Sequence, residues 1–177
     1  MKYVLLLRGI NVGGKNKVSM AEFKEMILHL GYTNVISYIN SGNIIFDTSD
    51  SIETINQNIS TILNTYPFKI NKVILSQSEY LEELENLPNW WFNDLYRKDV
   101  LFYTNEIDYS LMRARIEQMP LQDEAVHFGK YAVFWGKYNE TSYLKTSYHK
   151  YLIKESFYKS ITIRNSRTFE KIADLLK

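Results

Sequence analysis

The chain is 177 residues long, with 21 basic and 20 acidic side chains, 45% hydrophobic residues and no cysteine. That length suits one full domain or two small ones, and the hydrophobic content argues against disorder. The lack of thiols excludes disulfides, thiolate catalysis and cysteine-bound zinc, and no apolar run approaches the ~20 residues of a membrane span, so a cytoplasmic protein without membrane contact is expected.

The net charge of +1 is unevenly spread: residues 76–124 carry four basic and eleven acidic side chains, residues 137–177 nine basic and four acidic. Solvated helix faces account for such runs, and the basic C-terminal part offers attraction to an acidic partner. A domain built for unspecific nucleic-acid binding is more basic than this.

In chain order, Lys2–Leu7 is a continuous apolar run, the mark of a central strand. A glycine-rich connector follows, Arg8 to Ser19, about twice the usual length of a strand-to-helix loop. Ser19 with Glu22 reads as a capping box, and Met20, Phe23, Ile27 and Leu30 recur at helical spacing until Gly31. Asn34–Ile39 and Asn43–Thr48 are β-rich runs around a tight turn at Ser41-Gly42. Ile52, Ile55, Ile59, Ile62 and Leu63 form a second helical stripe, Asn71–Leu75 a fourth strand, and Ser78 caps a short acidic helix ending near Leu87-Pro88.

The second half repeats the order. Asp99–Tyr103 is a strand, Tyr109–Met119 a helix, and Glu124–Phe128 and Tyr131–Trp135 strands around Gly129-Lys130. Tyr143–Phe157 reads as a helix, Ser160–Arg164 as a strand and Ser166–Leu176 as a closing helix. From the first helix onward the halves align at an offset of about 89 residues. The order β-α-β-β-α-β is the ferredoxin-like signature. The expected fold is therefore α+β: two ferredoxin-like βαββαβ(α) subdomains with antiparallel sheets, residues 1–88 and 89–177. Trp90-Trp91-Phe92, near the boundary, reads as packing between the subdomains, with an exposed ligand platform or dimer contact as the alternative.

In the second half the connector Thr104–Asp108 is short, so the fold does not require the long glycine-rich loop. In a ferredoxin-like sheet of order 4-1-3-2 that loop, the Asn40–Asn43 turn and the start of the fourth strand share one edge. Arg8, Lys15 and Lys17 with Lys69 and Lys72 would supply charge. Gly9, Gly13 and Gly14 would give backbone access, and Asn11, Asn40, Ser41 and Asn43 orientation toward an anion. Purely structural roles compete: the turn needs residues tolerant of positive φ, Asn11 can bond its own backbone, and Arg8 can close an internal ion pair.

Other chemistry fares worse. Gly9–Asn16 nearly matches the G-x-x-x-x-G-K-[ST] phosphate loop but ends in Asn16, without the magnesium-binding hydroxyl. His29, His127 and His149 lack metal-ligand spacing, so no metal is expected. Ser41 has no flanking nucleophile elbow. The paired exposed aromatics of RNA-reading sheets are absent from the first and third strands. The lysine- and tyrosine-rich run from Tyr143 could line a groove for a polyanion, though its rings are better explained as core.

Leu6-Leu7-Arg8-Gly9-Ile10-Asn11-Val12-Gly13-Gly14-Lys15 with Met20, and Tyr38-Ile39-Asn40-Ser41-Gly42-Asn43-Ile44-Ile45-Phe46, carry a resemblance over the whole chain. The sequence is similar to an uncharacterised bacterial family, domain of unknown function 1697. A third family element, R-N-W-x-T-V-x-K-L, here begins Arg164-Asn165-Ser166, with Ser166 replacing the tryptophan. The resemblance implies a cytoplasmic protein with ferredoxin-like subdomains and brings no activity, catalytic residue or cofactor. It adds Arg164 and Asn165 as site candidates, expected beside the first loop. The functional expectation is binding of a phosphate-bearing small molecule or nucleic-acid segment. The alternative is a protein–protein interaction module or homodimer without catalysis.

Overall fold

The computed structural model describes residues 1–104 and 107–177. The first strand, β1 (Lys2–Leu7), is buried from Tyr3 to Leu7 because it is paired on both sides. It is followed by α1 (Met20–His29), β2 (Thr33–Tyr38), β3 (Asn43–Asp47), α2 (Ile52–Leu63) and β4 (Lys72–Ser76). The sheet order is β2-β3-β1-β4, with every neighbouring pair antiparallel. The Ser19 hydroxyl accepts the Glu22 N–H at 3.3 Å to start α1, and Phe23 and Ile27 turn into the core. Ser51 caps α2 in the same way through Thr54 N–H, and Ile55, Ile59, Ile62 and Leu63 cover the sheet. Each such side chain contributes about 1.5–3 kcal/mol when fully buried.

The next helix, α3 (Gln77–Glu85), begins one residue earlier than its expected cap, Ser78. Ser76 does the capping: its hydroxyl accepts Glu79 N–H at 3.3 Å, and Glu79 Oε2 accepts Ser76 N–H at 2.8 Å. The two bonds are reciprocal, as in a capping box.

The second sheet repeats the first. It is built from β5 (Arg97–Tyr103), β6 (Glu124–Phe128), β7 (Ala132–Lys137) and β8 (Ile161–Asn165) in the order β6-β7-β5-β8. Two helices accompany it, α4 (Tyr109–Glu117) and the closing α6 (Ser166–Leu176). Residue 20 corresponds to 109, 43 to 132, 72 to 161 and 77 to 166, each pair beginning matching elements at a spacing of 89. The chain is thus an α+β protein with two ferredoxin-like subdomains. By contact density one compact unit comprises Met1–Leu81 with Ile172–Lys177, the other Glu82–Lys171.

One element differs from expectation. Tyr143–Phe157 is not a continuous helix. It consists of 3₁₀ turns at Tyr143–Lys145, Leu152–Lys154 and Ser156–Ser160 around a single α turn, α5 (Ser147–Lys150). Thr146 (ψ 154°) and Glu155 (ψ 142°) are extended. The Thr146 hydroxyl donates to Tyr143 O at 2.7 Å, the local bond by which such residues compete with helix. The segment is rich in Ser, Thr, Tyr and His, all weak helix formers.

Candidate functional site: the rim of the first sheet

Arg8–Ser19 joins β1 to α1 with twelve residues, where the second unit uses five, 104–108. Asn105 and Glu106 of that shorter connector lie outside the described residues. Five of the twelve have positive φ: Gly9, Asn11, Gly13, Gly14 and Asn16. The loop folds back on itself. Val12 and Lys15 form an antiparallel bridge, Lys15 N–H donates to Val12 O at 3.0 Å, and Asn11 N–H donates to Asn16 O at 3.0 Å. With φ of 56° and 74° at Gly13 and Gly14, the tip meets the requirement of a type I′ turn.

Two asparagines hold this shape. Asn11 Nδ2 donates to Val18 O at 2.9 Å and to Asn40 O at 2.8 Å, and its Oδ1 accepts Val18 N–H at 2.9 Å. Asn16 Nδ2 donates to Gly9 O at 3.0 Å. The bond to Asn40 fastens the loop to the β2–β3 turn. Leu7 N–H donates to Gly42 O at 2.8 Å, and Arg8 N–H to Asn71 O, just before β4, at 2.9 Å. The loop, the turn and the approach to β4 therefore meet on one rim of the first sheet. Gly42 allows this contact: its φ is 82°, and a Cβ there would stand 2.6 Å from Leu7 Cβ.

The expected site residues divide into two groups. Asn11 has both amide hydrogens on the chain's own carbonyls. Asn43 is 1% exposed, its Nδ2 donating to Tyr38 O at 2.9 Å and Ser41 Oγ at 3.0 Å. Both asparagines shape the rim rather than face solvent. Gly13, Gly14, Lys15, Lys17 and Asn40 are exposed, and Arg8 and Ser41 half-buried. Among the described residues no ion pair engages Lys15 or Lys17, and no backbone carbonyl accepts from Gly13 or Gly14 N–H. Lys69 is exposed, whereas Lys72 Nζ donates to Asn56 Oδ1 at 3.1 Å.

Arg164 and Asn165 belong to the second unit, at the end of β8. Arg164 is 6% exposed and donates through Nη1 to Thr162 Oγ1 at 3.0 Å and Ile163 O at 2.8 Å. Asn165 Oδ1 accepts Thr168 N–H at 2.9 Å at the start of α6. The aromatic triplet separates by burial. Trp91 is 1% exposed, edge-on to Phe134 and Phe169 inside the second unit, whereas Phe92 is 75% exposed.

Sequence reasoning missed a polar row across one end of the second sheet. Lys137 and Asp99, both fully buried, pair at 2.6 Å, and Arg97 Nε reaches the same carboxylate at 2.9 Å. Glu124 accepts from Trp135 Nε1, Ser147 N–H and Tyr148 N–H. Burial lowers the Lys137 ammonium's pKa despite Asp99, and burial and Lys137 lower that of His149. The available signal was alternation: Val133, Trp135 and Lys137 share a face once β7 runs two residues beyond Trp135.

The family model described as Protein of unknown function (DUF1697) matches residues 1–134. The chain belongs to this family. A solved structure, that of conserved bacterial protein SP0830 from Streptococcus pneumoniae, is 51% identical, with a TM-score of 0.94 over 99% of this chain and 98% of that one. No curated protein matches the sequence. The DUF1697 match includes the whole rim and ends before Arg164. Among the described residues of this DUF1697 chain, no helix is long and apolar enough to cross a membrane.

Proposed function

We propose that the Arg8–Ser19 loop binds a phosphate-bearing ligand: a nucleotide, a phosphorylated metabolite or a nucleic-acid segment. One observation carries this reading. The loop's own asparagines fix its shape, while Lys15 and Lys17 stand in solvent with no acidic partner among the described residues. A loop already ordered loses little entropy on binding. Exposed ion contacts contribute about 0.2–1 kcal/mol each, and charge-assisted bonds from Gly13 and Gly14 N–H about 1.5–3 kcal/mol. That is of the order of the ~4 kcal/mol of a millimolar Kd, so one phosphate is held weakly and a polyphosphate more tightly. The lack of cysteine suits a cytoplasmic setting for such a ligand.

A thermal-shift series at low salt tests the reading with inorganic phosphate, pyrophosphate and ATP. Stabilisation rises with ligand charge, reaching about 5–10 °C at a hundredfold excess over Kd, and is lost in Lys15→Ala/Lys17→Ala. No shift with any of the three, or an equal shift in the variant, contradicts it.

A second reading draws on Phe92, an aromatic ring 75% exposed beside the buried Trp91. It makes the chain an interaction module that docks a protein or a second copy of itself. A concentration-dependent dimer that light scattering detects in the natural chain and not in Phe92→Ala supports that reading. Trp91→Ala would only disturb the core.

A further inference from the structure

The second unit has a pocket of about 250 Å³, open to solvent, where β5 begins and β8 ends, lined by Leu95, Tyr96, Arg97, Lys98, Asn165 and Ser166. Its polar groups share one property. Arg97 uses Nε on Asp99, at 2.9 and 3.0 Å, and no described acceptor is bonded to its two terminal nitrogens. Asn165 uses Oδ1 on Thr168 N–H, which leaves both hydrogens of Nδ2 available. The Ser166 and Tyr96 hydroxyls have no hydrogen-bond partner among the described residues. Lys98 Nζ donates to Trp91 O at 2.7 Å. The lining contains no carboxylate. Asp99, the partner of Arg97, is fully buried and shared with Lys137, so it cannot turn outward without leaving Lys137 unpaired.

A concave surface lined with donors and the Arg97 guanidinium, and without a carboxylate in its lining, is complementary to an oxyanion. A guanidinium with both terminal nitrogens available matches two oxygens of one phosphate or carboxylate group. The volume lies below the roughly 300 Å³ at which small-molecule sites begin. The pocket holds a head group, not a whole nucleotide.

We propose that this pocket is a second anion site, independent of the Arg8–Ser19 loop, that binds the phosphoryl or carboxylate group of a small metabolite through Arg97, Asn165 Nδ2 and Ser166. Sequence reasoning reached Asn165 without its neighbours, because Arg97 and Lys98 lie far from it in the chain.

The test is a backbone-amide NMR titration of the full-length chain carrying Lys15→Ala/Lys17→Ala, which removes the loop's cations. The probes are inorganic phosphate and, separately, malonate. The amides of Tyr96, Arg97, Lys98, Asn165 and Ser166 shift saturably with at least one probe, and the one that saturates identifies the phosphoryl or carboxylate source. Asn165→Asp keeps the acceptor for Thr168 N–H and adds a negative charge to the pocket; it weakens binding at least about tenfold. Arg97→Gln acts in the same direction, with amide dispersion reporting that the fold persists. Absence of shifts at these amides with both probes, or unchanged affinity in Asn165→Asp, overturns the proposal, whatever the loop binds.

Discussion

At the scale of single residues, the rim of the first sheet depends on two kinds of side chain that the sequence displays together: amides that bond backbone, and glycines that allow contact. Gly42 has φ 82°, and any Cβ there meets Leu7 Cβ at 2.6 Å and Ile10 Cδ1 at 2.9 Å. Gly42→Ala therefore strains the backbone and overpacks the turn. Urea denaturation should report a loss of about 2 kcal/mol or more, against near-neutrality for alanine at exposed Ser49. Glu83 makes a different local prediction. Its side chain is buried, Oε1 accepts Tyr131 N–H, and Oε2 has no partner among the described residues. Burial raises its pKa, with Glu82 adding to the effect and Tyr131 N–H and Lys130 opposing it. The folded value thus lies above the unfolded one, and the neutral carboxyl is the form that folding favours. That contribution is complete below the unfolded pKa and is lost as pH rises through the folded one. Glu83→Gln keeps the acceptor for Tyr131 N–H without the buried charge. Its Tm should rise by about 2 °C or more at neutral pH, and the decline in stability above about pH 4.5 should flatten.

At the scale of elements, local chemistry decides where regular structure starts and stops. Ser76 and Glu79 cap α3 reciprocally, so Ser76→Ala should cost about 0.5–2 kcal/mol in chemical denaturation. Ser78→Ala should stay within about 0.5 kcal/mol, since its hydroxyl only meets that of Ser76. Ser78 was expected as the cap, whereas Ser76 stands three residues before Glu79, the spacing of a capping box. The Tyr143–Phe157 misreading has a similar origin. Its aromatic and aliphatic residues recur every three or four positions, which resembles a helical stripe. A chain of 3₁₀ turns produces nearly the same spacing, and Thr146, Tyr151 and Glu155 break the path between them. Strand ends were equally hard to see: β7 continues through Gly136 to Lys137 because both residues stay paired with β5 and β6, with Leu95 and Trp90 filling the space a side chain at Gly136 would need. The Asp99–Lys137 pair was invisible for that reason, since a strand ending at Trp135 gives Lys137 no face.

At the scale of the molecule, the architecture was legible because it is written twice. The spacing of 89 residues links four pairs of elements, and the two sheets share one strand order. The repeat also isolates what the fold does not explain: the connector after β1 is seven residues longer than its counterpart. Its glycine-rich, cationic composition, on which the proposed anion site rests, was legible in residue types. The division of labour across the rim was not, because hydrogen bonding alone distinguishes Asn11 and, in β3, Asn43, which face the chain, from Lys15 and Lys17, which face water. Whether the rim takes a ligand is best decided by measuring pyrophosphate affinity as a function of salt, for the natural chain and for Lys15→Ala/Lys17→Ala. Our account predicts that the natural chain binds at low salt, that its affinity falls as salt screens the lysines, and that the variant binds at least about tenfold more weakly, with the gap closing at high salt. Equal affinity of the two proteins at low salt, or binding that salt leaves unchanged, would contradict it.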